Sequence, residues 1–240
     1  MSNPLPQGKG AAPYADRDVR QRDLVPPDRL ARCHAVVVGV GAIGRQAALQ
    51  LAAMGVPRLT FVDHDYVGVE NLAVQGYAPH ELGLAKVEAA AAACRLLNPD
   101  LAVTADAHRF RRSSVGELAA LKELLPDLDV VVFCCVDDVA ARRLVWESTR
   151  DRIGFFADGR MAAEVLRVLV STDPFADDRY AKTLFSPEQA YAGSCTAKST
   201  IYSASIAAGL MAGAFARWLR DLPVERDVVL NLLSAELTVA

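Results

Sequence analysis

The residues most suited to chemistry cluster around one turn. Gly39-Val40-Gly41-Ala42-Ile43-Gly44 spells GxGxxG between a valine-rich run and an amphipathic stretch. In that setting backbone N–H groups and a helix dipole can meet a phosphate. Asp63 ends the next apolar run, 19 residues past Gly44, where a carboxylate can accept from ribose hydroxyls. Glycines used only for tight helix–sheet packing give the same spelling, so the turn is weak by itself. Arg45 and Lys86 each fall in the first turn of a predicted helix, where a cation opposes the macrodipole by about 0.3–1 kcal/mol unless an anion lies near. The plain alternative for both is a side chain swung into solvent. Asp137, in Cys135-Val136-Asp137-Asp138, follows a second buried run and so sits at a carboxyl end of the sheet. A carboxylate there can hold Mg2+, which takes one or two protein oxygens and shares the rest with phosphate and water. The alternative is that Asp137 or Asp138 caps the next helix.

Elements of matching length surround these residues. Strands are predicted at 35–38, 59–62, 101–104, 130–135, 155–158 and 165–171, and helices at 43–54, 85–97, 113–125, 138–150 and 200–219. Ile43, Ala47 and Leu51 share one helical face, and the strand–turn–helix–strand order within thirty residues is the βαβ unit of a parallel sheet. Segments 228–233 and 236–239 suggest a closing hairpin, and 172–198 is a polar connection without a period. Residues 1–27 hold five of the 12 prolines and few aliphatics, and read as a flexible arm ahead of one domain over 28–240.

Composition narrows the function. With 240 residues, 52% of them hydrophobic and 23% charged, the chain can bury one sizeable core, which excludes disorder and coiled coil. A net charge of -3 without a long basic block argues against nucleic acid as a partner. The five cysteines (33, 94, 134, 135 and 195) make no CxxC pair, so no structural zinc and a reducing, cytoplasmic compartment are expected. No histidine pair has ligand spacing, no signal peptide is apparent, and residues 199–216 are too polar for a membrane span.

Five motifs in order, Gly39 to Gly44, Val62-Asp63-His64-Asp65, Asn71-Leu72-Ala73-Val74-Gln75, Gly83-Leu84-Ala85-Lys86 and Cys134-Cys135-Val136-Asp137-Asp138 to Arg142, resemble the ThiF/MoeB/HesA family. These are adenylyltransferases that activate ubiquitin-like proteins, and the likeness extends from Asp16 to Trp218. The resemblance implies an α/β fold with a Rossmann-like, doubly wound, mainly parallel sheet and a C-terminal antiparallel extension. It implies ATP and Mg2+: Gly39, Gly41, Ala42 and Gly44 around phosphate, Asp63 on the ribose with Asp65 beside it, Asn71 and Lys86 on phosphates, and Asp137 on Mg2+. The partner is then a ubiquitin-like or sulfur-carrier β-grasp protein, whose C-terminal carboxylate attacks the α-phosphate to give an acyl-adenylate and pyrophosphate. Charge builds on the phosphoryl oxygens during displacement, so Lys86 and Mg2+ favour the transition state over the ground state.

Three further expectations follow from the resemblance. Arg17 to Gln21 (RDVRQ) resembles a segment that reaches the neighbouring subunit's ATP in homodimers, which makes Arg20 a finger in trans or, alternatively, a solvated arm residue. Cys195 stands where many relatives carry a cysteine that attacks the adenylate or bonds the activated partner's sulfur. A helix N-terminus and Lys198 nearby would lower its pKa, whereas burial as a small hydrophobe is the other reading. Val74 replaces the expected phosphate-contacting arginine, and Arg45 is a candidate substitute. Two other functions fit parts of the pattern: an NAD-dependent oxidoreductase, since GxGxxG with Asp63 suits NAD, and a noncatalytic scaffold that keeps the fold.

Overall fold

The computed structural model describes residues 17–116, 125–184 and 199–240. Strand β1 (Cys33–Val38) is buried along its whole length because its residues alternate between two cores. Ala35 and Val37 face one core with Leu51, Phe61, Phe133, Phe155 and Phe215, while Val36 and Val38 face another with Val132, Trp146, Phe156 and Tyr180. A strand covered on both faces has no polar side to present, which explains its unbroken apolar spelling. The adjacent Cys134 and Cys135 divide in the same way, one to each core.

A short helix α1 (Pro27–Leu30) precedes β1, and the chain continues through α2 (Ala42–Met54), β2 (Arg58–Val62), α3 (Val69–Gln75), a 3-10 turn (Pro79–Glu81), α4 (Lys86–Leu97) and β3 (Ala102–Asp106). Then come β4 (Asp129–Cys134), α5 (Val139–Thr149), β5 (Phe155–Ala162), β6 (Val165–Ser171), a second 3-10 turn (Tyr180–Thr183), α6 (Ile201–Leu219), β7 (Asp227–Asn231) and β8 (Glu236–Val239). One sheet of eight strands results, in the order β3-β2-β1-β4-β5-β6-β7-β8. The first five are parallel and the last three antiparallel, as expected for a doubly wound sheet with a C-terminal extension. Val38 is level with both Val62 and Cys134, so β1, β2 and β4 end together. Strand order reverses between β1 and β4, and such a reversal opens a ligand crevice at the carboxyl ends.

Several elements differ from the sequence reading. Strand β5 runs four residues beyond Asp158 and turns into β6 through Ala163, whose φ of 54° lies in the left-handed region. Helix α3 has only seven residues and shows too little period to be read from spacing. Most of the predicted helix 113–125 lies outside the described residues. Within the stretch grouped with the arm, Arg17 donates to the carbonyls of Ala52, Ala53 and Leu97, and Gln21 to that of Met54. These contacts satisfy carbonyls at the C-terminal ends of α2 and α4, where a cation is also favoured by the dipole.

Candidate active site

The glycines of the turn serve two different purposes. Gly39 has φ 84°, and a Cβ on it would lie 2.8 Å from the Cys135 carbonyl oxygen. One on Gly44 would lie 1.8 Å from the Gly39 oxygen. These two glycines let β1, the turn after β4 and α2 approach one another, so the packing explanation holds for them. Gly41 is different: a Cβ there would meet nothing nearer than Gln75 Nε2 at 4.0 Å. The space over Gly41, at the start of α2, is therefore open to a ligand.

Asp63 braces this turn from β2. Its Oδ2 accepts from the Val40 N–H at 2.6 Å and its Oδ1 from the Asp65 N–H at 2.9 Å. Lys86, the first residue of α4, is buried, with 7% of its side chain exposed, and its Nζ lies 3.0 Å from Oδ2 of the half-exposed Asp65. Burial alone pushes the Asp65 carboxyl up, but Lys86, with His64 and Arg109, outweighs it and holds the group below its ordinary value. Asn71 is buried in α3, where its Oδ1 accepts from the Gly68 N–H at 2.8 Å, which leaves its side-chain NH2 to donate elsewhere. Of the two acids after β4, Asp138 is the helix cap, accepting from the Ala141 N–H at 2.8 Å. Asp137 remains exposed at the carboxyl end of β4, available to a cation. Among the described residues, Asp63, His64 and Asp65 are also close enough to share a metal ion, yet both carboxylates already have partners.

Arg45 corrects one expectation. It neither points into solvent nor toward the crevice: its guanidinium is buried, donating to the Gly76 carbonyl at 3.1 Å and to Glu81 at 3.0 Å, and lies 4.0 Å from the centre of the Tyr77 ring. Its position in the first turn of a helix is offset by Glu81, not by a phosphate, so it does not replace the arginine missing at Val74. Arg45→Ala is expected to lower stability by about 3 kcal/mol, since it strands a buried carboxylate. Thermal unfolding checks this, and an unchanged midpoint would contradict it.

Arg20 is exposed, on the segment that Arg17 and Gln21 fasten to the far end of α2. Thirteen residues of helix, about 20 Å, separate that end from Gly41. The structure thus does not bring Arg20 to its own crevice. Cys195 and Lys198 lie outside the described residues.

Sequence reasoning missed two groups. Tyr77 and Glu81, between α3 and α4, hold Arg45 as described. Asp158, fully buried on β5, accepts from Arg142 of α5, from Arg160 Nε at 2.7 Å and from the Tyr180 hydroxyl at 3.0 Å. Arg160 continues to the Thr183 carbonyl at 3.1 Å, just before residues 185–198. An acid closing an apolar strand, with an arginine two residues on and hence on the same face, was the available signal.

The ThiF family pattern matches residues 17–234. Over 151 residues the chain is 38% identical to mouse "Adenylyltransferase and sulfurtransferase MOCS3", covering 59% of this chain and 31% of that protein. It is 40% identical over 100 residues to the "SAMP-activating enzyme E1" of Haloferax volcanii, covering 41% and 37%. A silkworm (Bombyx mori) "Ubiquitin-like modifier-activating enzyme 5" is 33% identical over 115 residues, covering 45% and 29%. The chain thus spans roughly a third of the length of these curated relatives. Among solved structures, PaaA superposes with a TM-score of 0.74 at 18% identity, over 100% of this chain and 77% of that one. Escherichia coli MccB crystallised with ATP gives 0.67 at 14% identity, over 95% and 70%. With the motifs, the crevice and the family pattern in agreement over most of its length, the chain belongs to the ThiF family.

Proposed function

We propose that the protein adenylates the C-terminal carboxylate of a ubiquitin-like or sulfur-carrier protein, using ATP and Mg2+. The observation that carries this reading is the open face of Gly41 at the start of α2, together with the buried Lys86 ammonium at the start of α4 and Asp137, exposed after β4 and without a partner among the described residues. Backbone N–H groups of Gly41 and Ala42 donate to phosphate oxygens at the start of α2, where the dipole also favours anions. Asn71 and Lys86 add a neutral and a charged donor. The donor set suits Mg2+, with Asp137 as its protein oxygen, and the ion would supply positive charge next to the phosphates. The attacking carboxylate is ionised near neutral pH, so no base is needed. Its oxygen bonds the α-phosphorus as the bond to the departing pyrophosphate breaks, and Lys86 stabilises the charge that grows on the phosphoryl oxygens.

Around this centre we place the remaining expectations: a homodimer in which Arg20 serves the neighbouring subunit's crevice, Cys195 as the acceptor of the activated group, and a cytoplasmic location. Arg20's distance from its own Gly41 favours action in trans. No helix among the described residues is long and apolar enough to cross a membrane. The test is incubation of the full chain with ATP, Mg2+ and β-grasp proteins ending in Gly-Gly, followed by pyrophosphate exchange and intact mass. Carrier-dependent exchange is expected, with a reductant-sensitive mass gain on Cys195. Carriers that bind without any exchange would contradict the reading in favour of a scaffold.

A further inference from the structure

We infer that Tyr77 is a positioning residue that aims the Gly41 N–H at a nucleotide phosphate, and that Arg45 and Glu81 serve the site by holding Tyr77. Tyr77 is 3% exposed, and its hydroxyl donates to the Val40 carbonyl at 2.6 Å, with the Lys86 carbonyl a longer second acceptor at 3.5 Å. The Val40 carbonyl and the Gly41 N–H belong to one planar peptide and point in opposite directions. Fixing the carbonyl toward Tyr77 therefore turns the Gly41 N–H away from Tyr77, to the side on which we place the phosphate. Asp63 holds the preceding peptide through the Val40 N–H at 2.6 Å, so Val40 is gripped on both sides and the turn has little freedom to rotate. A hydrogen bond to the carbonyl also polarises the peptide and strengthens its N–H as a donor.

The ring of Tyr77 is held in turn. The Arg45 guanidinium lies over it at 4.0 Å, Glu81 pairs with Arg45 at 3.0 Å, and the same carboxylate accepts from the Ala78 N–H at 2.6 Å. Arg45 Nε binds the Gly76 carbonyl at 3.1 Å, fastening the backbone on the other side of Tyr77. The Arg45 and Glu81 side chains, which bind Gly76, Ala78 and each other, are thereby linked to the turn through the Tyr77 hydroxyl, in addition to the bond from the Arg45 backbone N–H to the Gly41 carbonyl at 3.0 Å.

This inference rests on the nucleotide-site reading, and the test separates the two. Tyr77→Phe keeps the ring and its cation contact and removes only the hydroxyl. The dissociation constant and KM for MgATP are expected to rise about tenfold with kcat nearly unchanged, and Gly41 amide exchange in the nucleotide-free protein to accelerate. A merely structural role would instead lower kcat with the folded fraction and leave KM alone, which would overturn the inference, as would unchanged MgATP affinity. Should Tyr77→Phe fail to fold, Glu81→Gln loosens the ring without removing the hydroxyl, and about a threefold rise in KM is expected. An unaltered KM there would overturn it. A wild-type protein that binds no MgATP defeats the nucleotide reading and this inference together, whereas wild type and Tyr77→Phe binding equally defeats this inference alone.

Discussion

Lys86→Ala is expected to lower ATP-dependent pyrophosphate exchange by about 10^2- to 10^3-fold, the range for removing one donor aimed at developing charge. Lys86 starts α4, where the dipole disfavours a cation, and burying its ammonium adds a desolvation cost. Asp65 compensates only in part, because it is half exposed and solvent screens the pair. The residue is thus poorly placed for stability and well placed for an anion entering the crevice. Its loss should leave the melting temperature within a few degrees of wild type, so the kinetic effect is not one of unfolding. Lys86→Arg keeps the charge and should retain part of the rate. Exchange kinetics decide the matter: full activity in Lys86→Ala would remove Lys86 from the reaction.

The largest effect on stability is expected at Asp158. This carboxylate is 0% exposed and balances Arg142, buried with it, and Arg160, while accepting from Tyr180. Asp158→Ala strands two guanidinium groups, one of them deep in the protein, at a cost of about 5 kcal/mol. For a chain of this size that corresponds to a melting midpoint lower by about 10 °C or more. Asp158→Asn should fall between the two, since it keeps acceptor and volume but not charge. Because Arg160 also fastens Thr183, the turn Tyr180–Thr183 should become protease-sensitive first. A melting midpoint within 2–3 °C of wild type in Asp158→Ala, on that same scale, would contradict the proposed balance.

Much of the scaffold was legible because its signals are local. The apolar runs of β1 and β4, the four-residue spacing in α2 and the glycine turn each depend on neighbours within a few positions. Asp63, Lys86 and Asp137 could be picked out for the same reason, as each stands at the end of such an element. The role of Arg45 was not legible, because a cation opening a helix suggests an anionic ligand until its true partner, 36 residues away, is known. Asp158 was hidden in the same way: Arg142 lies 16 residues before it and Tyr180 22 residues after it, joined only by the sheet and the helix packed on it. Tyr77 carries no sequence signal at all, since its contact is with a backbone carbonyl 37 residues earlier.

Calorimetric titration of the full chain with ATP in the presence of Mg2+ tests the nucleotide crevice most directly, with Gly41→Val as the variant whose side chain fills the open space over the turn. Saturable heat at one site per chain is expected for wild type, and none for Gly41→Val. No heat with wild type, or heat with NADH in place of ATP, would contradict the assignment.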